Sequence, residues 1–407
     1  MTISVRRRSG GLAMGNIMKR NRFSRRAKQH PATEELVRLA GSLAQSSSRI
    51  EDDFWQKRLA ASVDRLIADG DDAALNSALD HLYGAGGRAY DELADMVESC
   101  SETRKLESGP GQDAILFAAP VLAWSRFAIP SGTIAPELLA TIRVQLQAHA
   151  FAADAKIGLA DYLWSPDQLP QTYAETAQLA ERLTKAALHG KDMKLDTTGM
   201  PETNHFLSDI RYVIGAIVVP RGAPLFRWQE DDGSRAETLK QWRAQGGEAL
   251  RRALPACAIE PLLPQPYHAA ARDADRASRP YSVRAAVAFL QTTLNVAATD
   301  LHAVVGSYYD RQLEEYRIGF TLADASDVVH GVVWPLLEAE DEAADTPVQI
   351  EAVLKEAGLR DAVILDHRFP LEYCDDCGAP LYPNPEGEPS HAELPEEQAE
   401  AAPRHLH

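Results

Sequence analysis

A chain of 407 residues with 45% hydrophobic and 25% charged side chains has the make-up of a soluble globular protein with room for two or three domains. Its formal charge of −17 is uneven, because residues 1–30 carry nine cations and no Asp or Glu; the acidic remainder repels nucleic acid and anionic lipid everywhere except at that arm. Four cysteines exclude a disulfide framework, no apolar run is long enough to cross a membrane, and Gly11-Leu12-Ala13-Met14 is too short for a signal-peptide core, so a cytoplasmic protein is expected.

Residues 1–30 lack hydrophobic periodicity and are expected to be disordered. Arg20, Arg22, Arg25 and Arg26 make this a candidate nucleic-acid-binding arm, since each phosphate neutralised releases counterions. With Phe23 as the one aromatic available for stacking, a solvated tail is the plainer reading. Met14 and Met18 offer alternative starts. From 31 to 107 the pattern is that of a helical domain. Pro31 suits a first helical turn, and Ser48-Arg49-Ile50-Glu51 predicts a capping box. Leu59, Val63, Leu66 and Ile67 recur at helical spacing, Asp69-Gly70-Asp71 ends that helix, and Leu75, Leu79 and Leu82 mark the next. Residues 84–87 break it before Tyr90, Leu93, Met96 and Val97. No repeated signature appears, so a plain bundle is expected.

Ser108-Gly109-Pro110-Gly111 reads as a linker, after which the texture changes. Two pairs of echoes follow, each about a hundred positions apart. Ala119-Pro120-Val121-Leu122-Ala123-Trp124 is answered by Ala223-Pro224-Leu225-Phe226-Arg227-Trp228. Leu169-Pro170-Gln171-Thr172-Tyr173 is answered by Leu263-Pro264-Gln265-Pro266-Tyr267. They predict a duplicated body, 112–200 and 205–300, each half reading strand, helix, strand, helix. The strands are expected at 115–124, 157–163, 213–226 and 258–263, and the closing helices at 173–188 and 282–295. The tryptophans at strand ends read as core.

Residues 301–373 form an α+β unit. A hairpin turns at Asp310-Arg311-Gln312, a strand follows at 331–337, and a helix at 347–357 ends at Gly358 as a left-handed cap. A strand at 362–365 leads to Cys374-Asp375-Asp376-Cys377-Gly378, the start of a metal knuckle spanning 374–391. Residues 392–407 read as a disordered acidic tail.

The chain has no P-loop, dinucleotide fingerprint, nucleophile elbow or His-Glu-x-x-His. Asp154, Asp161, Asp167, His149 and His205 fall near predicted element ends, but no spacing joins them, and solvated or capping side chains are the plainer reading. The cysteine pair differs. Gly378 permits the left-handed backbone that lets both sulfurs face one ion. Zinc in a closed structural site takes four Cys or His ligands. Cys374 and Cys377 supply two, His391 and His367 are the next candidates, and Cys257, Cys100, His405, His407 or a second subunit remain for the fourth. A metal-free turn and a redox dithiol are the alternatives. The redox reading fits least, because Asp375 and Asp376 raise the thiolate pKa and prolines stand where a helix would have to run.

Residues 374–388, Ser48-Arg49-Ile50-Glu51-Asp52-Asp53-Phe54-Trp55 and Ala223–Trp228 together resemble a bacterial, betaproteobacterial protein family built on a domain of unknown function, over nearly the whole chain after Met18. The resemblance implies a bacterial cytoplasmic protein and carries no activity or catalytic residue. The fold class expected is mixed α+β and α/β: a helical N-terminal domain, a duplicated strand-helix-strand-helix body, and a small C-terminal α+β unit with a Cys-x-x-Cys turn. The function expected is that of a non-enzymatic binding or regulatory protein with a structural zinc knuckle and a protein partner. An enzyme using the cleft between the repeats and a nucleic-acid-associated factor using the basic arm are the alternatives.

Overall fold

The computed structural model describes residues 30–106, 111–230, 233–323, 325–337, 340 and 342–395. The basic arm with Arg20, Arg22, Arg25 and Arg26, the linker except Gly111, and residues 396–407 with His405 and His407 lie outside them; the start of the expected disordered tail is instead ordered, with Ala392 buried and the Glu393 amide donating to the Val328 carbonyl.

Four helices come first: α1 (Pro31–Ala44), α2 (Arg49–Asp69), α3 (Asp72–Ala85) and α4 (Arg88–Glu102). Ser48 caps α2 by accepting the Glu51 amide at 3.3 Å. Glu51 reaches back to the Ser47 amide rather than to that of Ser48, so the box closes one residue early. Gly70, at φ 70°, ends α2, and the Asp71 side chain opens α3. Leu36, Leu39, Leu59, Val63, Leu75, Leu93 and Val97 meet in one core, each such side chain contributing about 1.5–3 kcal/mol through burial. The helical unit ends sooner than its sequence suggests, because β1 (Thr103–Leu106) is extended and pairs with the start of β2 (Gln112–Trp124).

The body continues through β3 (Gly132–Thr133), α5 (Pro136–His149), β4 (Lys156–Trp164), α6 (Tyr173–Leu188), β5 (Ser208–Pro220), α7 (Arg235–Gln241), α8 (Gly247–Ala253), β6 (Ala258–Pro261), β7 (Gln265–Pro266) and α9 (Tyr267–Leu294). Its sheet runs β1-β2-β5-β4-β3, with β6 and β7 also on β2, and every pairing is antiparallel. β2 and β5 pair from Gln112↔Pro220 to Trp124↔Ser208 without a shift. The cleft expected between the halves is therefore a continuous sheet at that point. β4 pairs with β5, and β6 and β7 pair with β2, so each half lends its second strand to the other half's first.

From Ala114 onward β2 is apolar because both of its faces are covered. Phe117, Ala119 and Val121 meet Ile142 and Leu146 of α5 and Leu250 of α8. Leu116, Ala118 and Leu122 meet Leu179 and Leu183 of α6 and Tyr267 and Ala270 of α9. Period-2 alternation thus decides the layer each side chain enters, not whether it is buried. Between α7 and α8 a single π-turn, Trp242–Gly246, folds the fully buried Trp242 onto Gly246; a Cβ there would lie 2.2 Å from the indole ring.

Two expectations change here. Leu169–Tyr173 and Leu263–Tyr267 both lead into helices, which begin at Tyr173 and Tyr267. The other echo does not mark equivalent places: Ala119–Trp124 lies inside β2, whereas Ala223–Trp228 follows the end of β5 at Pro220. The helix expected at 282–295 instead starts fifteen residues earlier and runs 28 residues through Pro280. Pro280 has no N–H to give the preceding turn, but packing on both sides holds the rod. Its first half packs on the body sheet and its second, through Val283, Val287 and Leu290, on the next sheet.

That second sheet comprises β8 (Leu301–Tyr309), β9 (Leu313–Leu322), β10 (His330–Pro335) and, after α10 (Thr346–Glu356), β11 (Ala362–Pro370), in the order β10-β9-β8-β11. The hairpin turns where the sequence places it, Gly358 adopts φ 98°, and β11 lies parallel to β8. Tyr316, Ile318 and Phe320 of β9 face α9 and α10. The opposite face carries the C-terminal hairpin of β12 (Tyr382–Pro383) and β13 (Pro389–Ser390). No described helix is long and apolar enough to cross a membrane.

Candidate metal centre

The C-terminal hairpin sits in a groove made of glycine. Gly319 and Gly331 are cross-strand partners on β9 and β10, and Gly306 lies on β8 opposite Arg317. A Cβ on Gly331 would lie 2.3 Å from the Tyr382 ring, one on Gly319 would lie 2.3 Å from the Pro383 carbonyl oxygen, and one on Gly306 would lie 2.7 Å from the Phe369 ring. The missing side chains let Tyr382 reach full burial against Val328 and Ala392.

Beside the glycines stands Arg317, also fully buried. Its Nε donates to Glu315 at 2.6 Å, and its Nη1 donates to the carbonyls of Glu372 at 2.6 Å and Leu381 at 2.8 Å. The guanidinium lies over the rings of Tyr308 and Tyr373, at 4.2 and 4.9 Å. Burial pushes the Glu315 carboxyl up, and Arg317 opposes that shift. One cation therefore holds both ends of the segment that carries the cysteine turn.

The turn closes with Tyr373 bridged to Pro380. The Cys374 amide donates to the Ala379 carbonyl, and the Gly378 amide to the Cys374 carbonyl, both at 2.8 Å. Gly378 takes φ 74°. The amides of Cys377 and Asp376 point at the Cys374 sulfur and hold its thiol below the ordinary value, with Asp376 opposing as the smaller effect. Asp375 and Asp376 were expected to raise it; backbone donors at hydrogen-bond range outweigh a solvated carboxylate. Burial pushes the neighbouring Cys377 thiol up.

β13 then delivers His391. Its Nε2 lies 3.1 Å from the Cys377 sulfur, and its Nδ1 lies 3.2 Å from a carboxylate oxygen of Glu393. Nδ1 makes no hydrogen bond among the described residues, and Nε2 is the ring nitrogen that faces the thiols. The donor atoms of Cys374, Cys377 and His391 all lie within 4.8 Å of one another, and this is the one group of three such donors gathered among the described residues. A tetrahedral zinc ion, with bonds of about 2.3 Å to sulfur and 2.0 Å to nitrogen, sets its donors roughly 3.5–4 Å apart. The residues present fit such an ion.

The other candidates lie elsewhere. His367 is on β11 with its ring edge-on to Phe369 and is not part of the donor group. Cys100 is inside the helical unit, where burial pushes its thiol up to about 12, and Cys257 lies beside Pro255 ahead of β6. Asp161 accepts the Leu195 amide, Asp167 accepts from Asn204, and Asp154 and His205 are exposed. None of these joins a site. Arg317, Tyr382 and the three glycines are what the sequence reading missed. The one available signal is an arginine in an otherwise apolar strand, at Tyr316-Arg317-Ile318-Gly319-Phe320.

The fold and the site together define a mixed α/β protein ending in a Cys-x-x-Cys…His knuckle. The chain belongs to the family described as protein of unknown function DUF2863, whose model matches residues 21–405. No curated protein and no solved structure matches it.

Proposed function

We propose that the protein is a non-enzymatic binding or regulatory protein of the cytoplasm whose C-terminal knuckle holds zinc through Cys374, Cys377 and His391. The observation that carries this reading is the convergence of those three donors on a turn already fixed from below by Arg317. Zinc would join the turn after β11 to the end of β13 and so clasp the hairpin in its glycine groove. Bound there it supplies a cross-link, and metal affinity then becomes folding free energy of the clasp.

We infer further that the body is an internal duplication. The unshifted β2–β5 pairing, the reciprocal exchange of second strands, and the matched entries into α6 and α9 support it. The long antiparallel pairing joins residues 112–124 and 208–220 in one sheet, which suits a scaffold that presents a surface to a protein partner.

The test is the metal content of the full chain purified without chelator, beside Cys374→Ser. About one zinc per chain in the wild type and a loss of most of it in the variant is the expected result. A metal-free wild type that also takes up none from added zinc would refute the clasp.

A further inference from the structure

The donor group has a property that a closed structural zinc site does not share. Such sites have four protein ligands, and those that keep an exchangeable position have three. Among the described residues three donors converge, and neither His367, Cys100 nor Cys257 is within reach to be a fourth. The group is also open to solvent, with Cys377 exposed and Cys374 and His391 partly so. We propose that the metal in this knuckle keeps one coordination position facing solvent, and that this position accepts a neutral nitrogen donor, the imidazole of a histidine on a protein partner. This rests on the metal-binding reading above and adds what the metal is for.

Charge selects the class of ligand. A divalent ion with two thiolates and a neutral imidazole carries no formal charge. Around it stand Asp375 and Asp376, both exposed, and Glu393 on the His391 ring. An anionic fourth ligand would place a net negative centre beside three carboxylates, whereas imidazole adds no charge. Borderline ions such as zinc accept imidazole readily. Arg317 holds the turn through the carbonyls of Glu372 and Leu381, not through the donor side chains, and Cys377 is exposed. An incoming side chain can therefore meet the metal without competing for those hydrogen bonds.

The test uses the full chain loaded with cobalt(II), which substitutes for zinc and reports its coordination by visible absorption. Imidazole is the probe, acetate the anionic comparison, and a chain ending at Pro395 the companion. Thiolate-to-cobalt absorption that Cys374→Ser abolishes establishes the metal site itself. The result expected on that background is a saturable change in the visible bands with millimolar imidazole, a much smaller one with acetate, and the same behaviour in the shortened chain. Bands that do not respond to imidazole in either chain would overturn the open position while leaving the clasp intact. A response confined to the shortened chain would also overturn it, since the tail histidines would then be the fourth ligand. Absence of any thiolate-to-cobalt absorption would overturn both this proposal and the metal site.

Discussion

Glu102 is the last residue of α4, and its carboxylate caps the first turn of α9, accepting the His268 amide at 3.0 Å. Around it the helical unit and the body are joined by Ser101 to His268 Nε2 at 2.7 Å and by Glu98 to Arg272. Burial, aided by Glu98 and opposed by the α9 amides and Arg272, raises the Glu102 carboxyl from 4.5 to about 7. The folded carboxyl thus keeps its proton to higher pH than the unfolded one. Its contribution to stability is fully present below about pH 4.5 and is lost as pH rises through 7. The gap corresponds to roughly 3 kcal/mol at most. His268 runs the other way: burial lowers it from 6.5 to about 3, so its contribution is present above pH 6.5 and is lost as pH falls towards 3. In the wild type the two slopes oppose each other between 4.5 and 6.5. Glu102→Gln keeps an oxygen for the cap and removes one slope. Relative to wild type, the variant is expected to gain about 1–3 kcal/mol on going from acid to mildly alkaline conditions. Urea midpoints of both proteins at pH 4 and pH 8 and matched ionic strength measure this. A stability of the variant relative to wild type that is the same at both pH values, or that falls in alkali, would refute the assignment.

Two further changes probe the clasp. Arg317→Met leaves Glu315 buried without its cation and leaves the carbonyls of Glu372 and Leu381 without their donor; a loss of about 3–5 kcal/mol is expected in chemical denaturation. A loss below about 1 kcal/mol would show that Arg317 is not the anchor. Gly331→Val drives a side chain into the Tyr382 ring, at a cost of about 1–3 kcal/mol. Hydrogen exchange at the Asn384 amide, which donates to the Glu388 carbonyl inside the hairpin, should then quicken; unchanged protection would mean that the hairpin is held elsewhere.

The helical unit and the hairpin of β8 and β9 were legible in the sequence because their signals are local. Caps, helical spacing and turn residues specify them without reference to distant chain. The Cys-x-x-Cys turn and His391 were legible for the same reason, as donors on two short neighbouring segments. What failed was non-local. The closing helix was expected only from 282, yet residues 267–281 are helical too, because the body sheet covers Tyr267, Ala270 and Ala274 and so compensates for Pro280. The Ala-Pro echo misled because composition repeats at a strand end and in a loop without marking the same place in space. Thr103–Leu106 extends because β2 offers it an edge.

The same contrast bears on the metal site. A glycine in a strand weakens it locally, so three glycines on one sheet face read from sequence as a defect. In the fold they are the space into which Tyr382, Pro383 and Phe369 fit. The apolar cluster this creates is small, with Val328, Tyr382 and Ala392 as its buried members and Val333 partly buried beside them. Ordering residues 371–395 costs backbone entropy along the whole segment, and a cluster of that size offsets little of it. Directional contacts have to supply the balance. Arg317 provides them at the carbonyls of Glu372 and Leu381, and zinc on Cys374, Cys377 and His391 would provide them across the cysteine turn.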